Sequence, residues 1–410
     1  MRTRWIRRTL LLTLLALVGT VGAGPATATP ENSSGPVKVA VPRYVPCETP
    51  IPGRVRCLSH VRRTATIENG RPSTAAATIP GLKAADIRAA YHLPKSGAKN
   101  QTIAIVDAFD NPNVEKDLAV YRRANGLGAC TTANKCFRKI DQRGGTTYPE
   151  GDPGWGIEIA LDVQAVSAAC PSCRILLVEA DDPSFEALGT AVNTAVRLGA
   201  TVISNSYGAD ESSDALTLNK KYFTHPGVTL LASSGDYGFT AASVPAVLPG
   251  VWAIGGTLLN RTKAGGYTEK AWANAGSACS AYIRKPAVQK DNHCAMRTVS
   301  DVSAAADSAQ GFAVYDTYLP DDQDLGVTPV DHWLSVSGTS LSSPLIAGMI
   351  GLAGNGAKVA KPSYPYTHRS GLKDVTGGSN GFCGHDYLCT GVKGYDGPTG
   401  LGSPRGLKSL

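Results

Sequence analysis

A serine that precedes an apolar run is the first residue in this chain with the setting of a catalytic group. Ser340 closes a Ser-Gly-Thr-Ser sequence that is followed by Pro344 and by an apolar stretch at 345–352. We expect a buried helix to begin here, and the free N–H groups at a helix start favour developing negative charge. That setting suits a nucleophile beside an oxyanion site. The alternative is an ordinary serine cap on a core helix.

A serine nucleophile needs a base, and the usual histidine is not recognisable in this sequence. The chain contains seven histidines, and none of them is followed by glycine or lies at a helix start that would pair with Ser340. The base must therefore be sought among other residue types.

Two acids offer that function. Glu158 and Asp162 lie four residues apart in the sequence GWGIEIALDVQ, so a helix places both side chains on one face. Their neighbours are apolar, which predicts a buried position where one carboxyl keeps its proton to an unusually high pH. The alternative is a solvated acidic pair near a helix N-terminus, where the helix dipole favours negative charge.

A third acid, Asp236, follows the apolar run 228–232 at a glycine turn. This position predicts a side chain at the carboxyl end of a strand. Taken alone, such a residue is usually a turn aspartate, so its interest depends on the other candidates.

Strands and helices alternate along the chain in the way that a parallel sheet requires. The pattern predicts an α/β fold with a mostly parallel sheet and helices on both faces. Catalytic groups in such folds gather beyond the carboxyl ends of the strands. The predicted strands are 101–107, 174–179, 201–204 and 228–232, and the predicted helices are 113–125, 156–169, 184–198 and 213–222.

Together these segments resemble the sedolisin (serine-carboxyl peptidase) family over about residues 81–404. Further similar stretches are 202–208, 251–257 and 301–304. The resemblance implies a subtilisin-like fold with a single catalytic domain at 79–410. It also implies a secreted serine-type endopeptidase that acts on proteins or peptides, with tripeptidyl-peptidase activity as the alternative.

The resemblance assigns a function to each candidate. Glu158 is the general base for Ser340, Asp162 orients Glu158 and exchanges protons with it, and Asp236 is the oxyanion-hole acid. Glu158 must be ionised and Asp236 protonated, and with reference pKa values of about 4 both conditions hold only on the order of pH 3–5. We therefore expect an acid optimum.

Two glycine-rich loops near the C-terminus each carry an aspartate, Asp374 in one and Asp396 in the other. Carboxylates and carbonyls on such loops are hard ligands that suit Ca²⁺, although the loops could equally be simple turns. The resemblance implies one structural calcium ion. Its ligands would be the carboxylates of these two aspartates and the backbone carbonyls of Val375, Val392 and Gly394.

The N-terminal region predicts export. Four arginines precede an apolar stretch at 9–21 and an Ala-Thr-Ala sequence that ends at Ala28, so residues 1–28 are predicted to be a signal peptide. The mature protein is expected to be extracellular, without a membrane anchor. Residues 29–78 are rich in Pro, Ser, Thr and Arg and are predicted to be a short propeptide or N-terminal arm.

Ten cysteines in an exported protein favour disulfides. Their order predicts pairing between neighbours: Cys47–Cys57, Cys130–Cys136, Cys170–Cys173, Cys279–Cys294 and Cys383–Cys389. A redox C-x-x-C motif is the alternative for residues 170–173.

The charge pattern argues against nucleic-acid binding. The formal net charge is +7, and removing the four arginines of the predicted signal peptide leaves about +3, without a basic stripe. We expect a monomer that acts on protein or peptide substrates. Two other classes stay open: an inactive relative that binds peptides or cell-wall material, and an exported disulfide-rich adhesion domain. The complete acidic set disfavours the first, and the absence of repeats disfavours the second.

Overall fold

The computed structural model describes residues 37–40, 46–47, 54–62, 64–68, 71–72, 79, 81–98, 101–320, 331–384 and 386–410. The predicted signal peptide, residues 1–28, lies outside the described residues, as does much of the predicted arm at 29–78. Among the helices of the described part, none combines the length and the apolar character that a membrane span requires.

The described residues form seven α-helices and twenty-one strands. The helices are α1 (Ala84–Ala90), α2 (Val114–Ala124), α3 (Pro153–Ala169), α4 (Phe185–Arg197), α5 (Ala215–Tyr222), α6 (Thr339–Ala353) and α7 (Tyr364–Thr367), and a 3₁₀ turn follows at Arg369–Gly371. The strands are β1 (Val37–Ala40), β2 (Arg56–Cys57), β3 (His60–Val61), β4 (Thr64–Glu68), β5 (Arg71–Pro72), β6 (Thr102–Ala108), β7 (Phe137–Asp141), β8 (Arg174–Ala180), β9 (Val202–Asn205), β10 (Tyr207–Asp210), β11 (Thr229–Ser233), β12 (Ser243–Val244), β13 (Val251–Arg261), β14 (Tyr267–Ala271), β15 (Ala278–Arg284), β16 (Met296–Val299), β17 (Val302–Asp307), β18 (Phe312–Tyr315), β19 (Trp333–Ser337), β20 (Leu372–Lys373) and β21 (Ser403–Pro404).

Eight of these strands build the central sheet. Their order is β14-β13-β11-β9-β6-β8-β7, and β17 also pairs with β13. Every pair is parallel except β13–β14. The predicted mostly parallel sheet is therefore confirmed, and the four predicted strands match β6, β8, β9 and β11 to within one residue at each end.

Helices cover both faces of the sheet, as predicted. Alternate residues of β6 point to opposite faces, so Ile103 and Ile105 join one apolar core while Ala104 and Val106 join the other. Helices α3 and α6 pack together on the first face, and α4 packs against β6 and β8 on the second.

Helix α3 begins three residues before its predicted start. The Asp152 side chain accepts a hydrogen bond from the Trp155 N–H at 2.8 Å, and Pro153 occupies the first turn, so the helix has a capped start before the apolar run. Every residue from 154 to 169 is buried. The helix is thus enclosed on all sides, which excludes a solvated acidic pair at Glu158 and Asp162.

The segment 54–62 contributes two short strands of its own. Strand β2 pairs antiparallel with β10, and β3 pairs antiparallel with β19, which leads directly into α6. This part of the predicted arm therefore packs within the catalytic domain rather than beside it.

All ten cysteines are paired as predicted, in five disulfides. The Cys170–Cys173 pair is fully buried against α3. A partner thiol could not reach it, so the redox alternative is disfavoured.

Candidate active site

Ser340 lies in the first turn of α6 and is completely buried. Its Oγ donates to the carbonyl of Ser206 at 3.1 Å, and its backbone N–H donates to the carbonyl of Leu58 at 3.1 Å. Gly338, at the helix cap, has φ 148°, and an added Cβ would lie 2.1 Å from the Leu58 carbonyl oxygen. The Ser-Gly-Thr-Ser sequence therefore needs its glycine for close passage of another chain segment.

Glu158 and Asp162 lie on the same face of α3, and neither side chain is exposed to solvent. Burial raises the pKa of Glu158 well above its usual range, and the nearby Asp107 carboxyl adds to this rise. Interactions with the hydroxyls of Ser340 and Ser59 oppose it. Both Glu158 oxygens lack a well-formed hydrogen bond to any described residue. The carboxyl is thus held next to the nucleophile in a poorly solvated site, which favours its protonated form.

Asp162 is linked to the nucleophile through Ser206. The Ser206 hydroxyl donates to Asp162 Oδ2 at 2.7 Å, while the Ser206 carbonyl accepts the Ser340 hydroxyl. Burial raises the pKa of Asp162 well above its usual range, and the charges of Asp107 and Glu158 raise it further. The two acids of α3 therefore titrate as a coupled group.

Asp236 follows β11 at the carboxyl edge of the sheet, as predicted, and is buried. Its Oδ1 accepts hydrogen bonds from the Thr339 N–H at 2.8 Å and from the Thr339 hydroxyl at 2.7 Å. Its Oδ2 lies 3.1 Å from His60 Nε2 and 2.8 Å from the position of a Cβ on Gly338. Asp236 is thus fixed beside the cap of α6, next to the Ser340 N–H.

The structure brings the four predicted catalytic residues to one buried place. Ser340, Glu158, Asp162 and Asp236 come from two helices and a strand end. Ser206 links Asp162 to Ser340 by hydrogen bonds, and Thr339 holds Asp236 beside them. Glu158 lies next to Ser340 without a well-formed hydrogen bond to a described residue. Such a set can remove a proton from a serine hydroxyl and donate hydrogen bonds to an oxyanion. Because the pKa of Glu158 is raised, its ionisation requires a higher pH than the reference value of about 4 indicates.

Asp107 is a member of this cluster that the sequence did not single out. It lies in β6, is completely buried, and burial raises its pKa to about 8. Neither carboxyl oxygen has a hydrogen-bond partner among the described residues. The sequence pointed to Asp107 only as an acid at the end of the predicted strand 101–107. In parallel sheets, functional residues gather at the carboxyl ends of the strands.

The segment 54–62 is the second feature that sequence patterns did not reveal. Leu58 and Ser59 lie directly against the cap of α6, with Ser59 Cα 2.8 Å from the position of a Cβ on Gly338. The Leu58 N–H also donates to Ser340 Oγ at 3.2 Å. Two-residue strands carry no periodicity from which this contact could be predicted.

The two C-terminal loops lie side by side. Asp374 Oδ2 accepts from the Gly394 N–H at 3.0 Å, and Asp396 Oδ2 accepts from the Val392 N–H at 3.1 Å. Burial raises the pKa of Asp396 to about 7, and the Asp374 charge adds to the rise. The described residues contain no group of three or more His, Cys, Asp or Glu side chains suited to a metal ion. Two carboxylates with neighbouring carbonyls still match the hard oxygen donors that Ca²⁺ takes.

Comparison with known proteins identifies the architecture that holds this cluster. The subtilase family model matches residues 150–374, which is more than half of the chain and includes all four predicted catalytic residues. The chain belongs to the subtilase family.

Kumamolisin and sedolisin are among the proteins to which this subtilase is similar. Kumamolisin of Bacillus sp. (strain MN-32) is 27% identical over 363 residues, covering 79% of this chain and 62% of kumamolisin. Sedolisin of Pseudomonas sp. (strain 101) is 28% identical over 354 residues, covering 75% of this chain and 56% of sedolisin. The chain therefore spans only about three fifths of these relatives' own length.

The solved structure of Pseudomonas sedolisin, complexed with two molecules of pseudo-iodotyrostatin, superposes with a TM-score of 0.65 at 25% identity. It covers 80% of this chain and 96% of the sedolisin chain. The expected resemblance to the sedolisin family and the subtilisin-like fold is thereby confirmed.

Proposed function

We propose that this subtilase is an acid-acting serine peptidase that cleaves peptide bonds through Ser340, Glu158, Asp162 and Asp236. The observation that carries the proposal is that these four side chains lie together at the start of α6. The Ser340 N–H there donates to the peptide carbonyl of Leu58. Peptidase relatives of the same fold support it.

In the first step the Ser340 oxygen attacks the carbonyl carbon of the substrate. Glu158, ionised, takes the hydroxyl proton, and Asp162 stabilises the resulting acid by sharing its proton within the coupled pair. The oxyanion accepts hydrogen bonds from the Ser340 N–H and from protonated Asp236. Thr339 holds Asp236 Oδ1, which leaves Oδ2 on the side of the oxyanion.

The same residues complete the turnover. Glu158 returns the proton to the leaving amine, the acyl group stays on Ser340, and water then attacks that ester with Glu158 again as base. Activity needs one ionised carboxyl in the α3 cluster and one proton on Asp236. We therefore expect a bell-shaped profile of activity against pH, confined to the acid range. Because burial raises the pKa of Glu158, the lower limb of this profile should lie at a higher pH than an exposed glutamate would give.

The experiment that tests the proposal is cleavage of a denatured protein by the full chain at pH 4–5. We expect Ser340→Ala and Glu158→Gln to lower kcat by at least about 10³-fold, since removing a nucleophile or its base disables the whole unit. Ser343→Ala is the matched control for the serine, because Ser343 lies on the same helix and its hydroxyl contacts only that of Ser204 at 2.8 Å among described side chains. Glu179→Gln is the control for a buried glutamate.

Cleavage that survives Ser340→Ala would refute the assignment of the nucleophile. A folded wild-type chain that cleaves no protein at any acid pH would instead favour the inactive peptide-binding relative. Product lengths from the same digest separate the two kinds of peptidase: internal cuts indicate an endopeptidase, and tripeptides released from the N-terminus indicate a tripeptidyl-peptidase.

We also propose that the C-terminal loops hold one structural Ca²⁺ ion. Asp374 and Asp396 would supply carboxylates, and Val375, Val392 and Gly394 would supply carbonyls; the ion would fix the loops and takes no part in catalysis. Chelation should lower the Tm of the Ser340→Ala variant. The free-energy difference should be about 2.7 kcal/mol at a calcium concentration of 100 Kd. Asp374→Asn should abolish this calcium effect, and an unchanged calcium response would refute the site.

The predicted signal peptide leads us to propose that the chain acts outside the cell. Its disulfides suit an oxidising compartment. Mass spectrometry of the protein recovered from the culture medium of its own organism tests this, since retention of the whole chain inside the cells would contradict it.

A further inference from the structure

The segment 54–62 crosses the candidate active site as an extended chain that is paired on both sides of Ser340. Before the crossing, Arg56–Cys57 pairs antiparallel with Tyr207–Gly208 of β10. After it, His60–Val61 pairs antiparallel with Val336–Ser337 of β19. The Leu58–Ser59 peptide bond lies between the two paired halves, at the cap of α6.

The Leu58 carbonyl occupies the place where an oxyanion would form. Its oxygen accepts from the Ser340 N–H at 3.1 Å, and a Cβ on Gly338 would lie 2.1 Å from this oxygen and 2.8 Å from Asp236 Oδ2. The Leu58 N–H donates to the Ser206 carbonyl at 3.3 Å. The bond is thus oriented by backbone contacts in the way that a substrate bond requires.

The Leu58 side chain directly precedes the Leu58–Ser59 peptide bond. Its surroundings therefore indicate which kind of side chain the cleft accepts at that position. Leu58 is only 2% exposed, and its Cδ1 lies 3.5 Å from the position of a Cβ on Gly208. A cavity that Leu58 and Arg56 help to line adjoins this side chain. Its other lining residues are mostly small, including Gly208, Ser234, Gly235 and Ser243, together with Asp210 and Tyr237 on the side of Arg56. These small side chains leave space for a leucine-sized apolar group, and a charged group there would lose its hydration.

The Arg56 side chain shows a second point of recognition, two residues before Leu58. Its guanidinium lies 4.0 Å from the ring centroid of Tyr237, and Nη2 lies 4.0 Å from Asp210 Oδ1. Only 14% of the Arg56 side chain is exposed. A cation over an aromatic face beside an acid favours arginine at this position.

We propose that the cleft selects peptides with leucine directly before the cleaved bond and arginine two residues earlier, and that Leu58–Ser59 is the enzyme's own first substrate. This inference rests on the proposed peptidase function and adds to it a substrate class. The residues that determine the preference are Gly208 with its small neighbours for leucine, and Tyr237 with Asp210 for arginine.

The self-cleavage step is ordinary acyl transfer followed by hydrolysis. The Ser340 oxygen bonds to the Leu58 carbonyl carbon, and its proton passes to Glu158. The bond from Leu58 carbon to Ser59 nitrogen then breaks as Glu158 gives that proton to the nitrogen. Water adds its hydroxyl to the Leu58 carbonyl carbon and its remaining proton returns to Ser340 by way of Glu158, so one water is consumed per bond.

The preference is tested with quenched fluorescent peptides that span residues 55–62, with serine in place of Cys57. We expect replacement of the leucine by aspartate to lower kcat/KM by at least about 30-fold, because a charge would enter the buried pocket. Replacement of the arginine by alanine should lower kcat/KM by at least about two- to fivefold, since a cation–π contact contributes about 0.5–1 kcal/mol when exposed and more when it is largely buried, as here.

A variant of the enzyme separates the two recognition points. Tyr237→Ala should abolish the arginine preference while the leucine preference persists. Tyr282→Ala is the matched control, because Tyr282 is 44% exposed, close to the 41% of Tyr237, and lies on β15 away from Arg56. Loss of arginine preference in both variants would contradict the assignment to Tyr237.

The self-cleavage is tested by mass spectrometry of the full chain incubated in acid. We expect a fragment that begins at Ser59 in wild type, none in Ser340→Ala, and slower formation in Leu58→Asp. Cleavage of a denatured protein while Leu58–Ser59 stays intact and the peptides show no leucine preference would overturn this inference alone. Cleavage of no substrate at all would overturn the proposed function and this inference together.

Discussion

Two regions of this subtilase bury carboxyl groups completely, but one region supplies hydrogen-bond donors to them and the other does not. Asp301 is completely buried, but its Oδ2 accepts from Arg297 Nη2 at 2.6 Å and from the Ala253 N–H at 2.8 Å, and its Oδ1 accepts from the Tyr366 hydroxyl at 2.7 Å. The acids near Ser340 are just as buried, yet the carboxyl oxygens of Asp107 and Glu158 have no hydrogen-bond partner among the described residues.

This difference in hydrogen bonding separates the carboxyls that stabilise the fold from the carboxyls that are suited to catalysis. The Asp301 carboxylate faces a buried guanidinium and directed donors, and these contacts hold β13 to the strand pair β15–β16. The Glu158 carboxyl has no such compensation, so burial and its acidic neighbours raise its pKa. Burial alone therefore identifies neither kind of residue, but burial without hydrogen-bond partners distinguishes Glu158 and Asp107 from Asp301.

The largest expected effect on stability comes from breaking the structural pair. Arg297→Met should lower the free energy of unfolding by about 3–5 kcal/mol, because Asp301 would remain as a buried charge without its cation. Asp162→Asn should change it by less than about 1 kcal/mol, since the amide replaces a carboxyl that is protonated in the folded state. Urea denaturation in the Ser340→Ala background at pH 5 measures both, and equal losses would contradict the comparison.

A smaller effect concerns the pH dependence of stability. Burial raises the pKa of Asp316 to about 8, against an ordinary value of 3.8. Because the folded state holds this proton more tightly than the unfolded chain, the stabilisation is complete below about pH 4 and is lost as the pH rises toward 8. We expect the free energy of unfolding to fall by about 3–4 kcal/mol between pH 5 and pH 8 from Asp316 alone, because between the two pKa values each pH unit lowers it by about 1.4 kcal/mol.

Thermal unfolding of the Ser340→Ala variant across that range checks this expectation. Asp316→Asn should weaken the pH dependence, because the amide does not titrate. A stability that rises from pH 5 to pH 8 would contradict the raised pKa of Asp316.

The smallest expected effect tests how Asp107 acts on the catalytic acids. The charge of Asp107 raises the pKa of Glu158. Asp107 itself keeps its proton to about pH 8, so it carries no charge in the acid range where the lower limb of the kcat/KM profile lies. Asp107→Asn should therefore leave that limb in place to within about 0.3 unit, because the amide and the protonated carboxyl are both neutral. Glu179→Gln is the matched control, since Glu179 lies opposite Asp107 on the neighbouring strand and burial raises its pKa to about 9. A lower limb that moves to lower pH in Asp107→Asn but not in Glu179→Gln would show that Asp107 is ionised in the acid range.

The sequence predicted the elements that carry long apolar runs. Strand β6 and helix α3 were located because the apolar run 103–106 and the apolar residues that flank the two acids in 157–163 admit few other structures. The position of Glu158 followed from α3, and that of Asp236 followed from the apolar strand β11. The burial of α3 on every side could not be predicted with the same certainty, because it depends on packing against α6, whose residues lie about 180 positions away.

The contacts that the sequence did not predict are long-range ones. Leu58 meets Ser340 across 282 positions, through strands of two residues each, and neither strand carries a periodic pattern. Asp107 was visible only as a polar residue at the end of an apolar strand, and its isolation from partners requires knowledge of all the surrounding side chains.

The pH profile of kcat/KM for wild type, from pH 2.5 to 8 on a fixed peptide substrate, tests most directly the claim that buried carboxyls replace histidine here. We predict a bell-shaped curve confined to the acid range, with its lower limb set by the cluster around Glu158. Full activity at pH 7 and above would contradict the account.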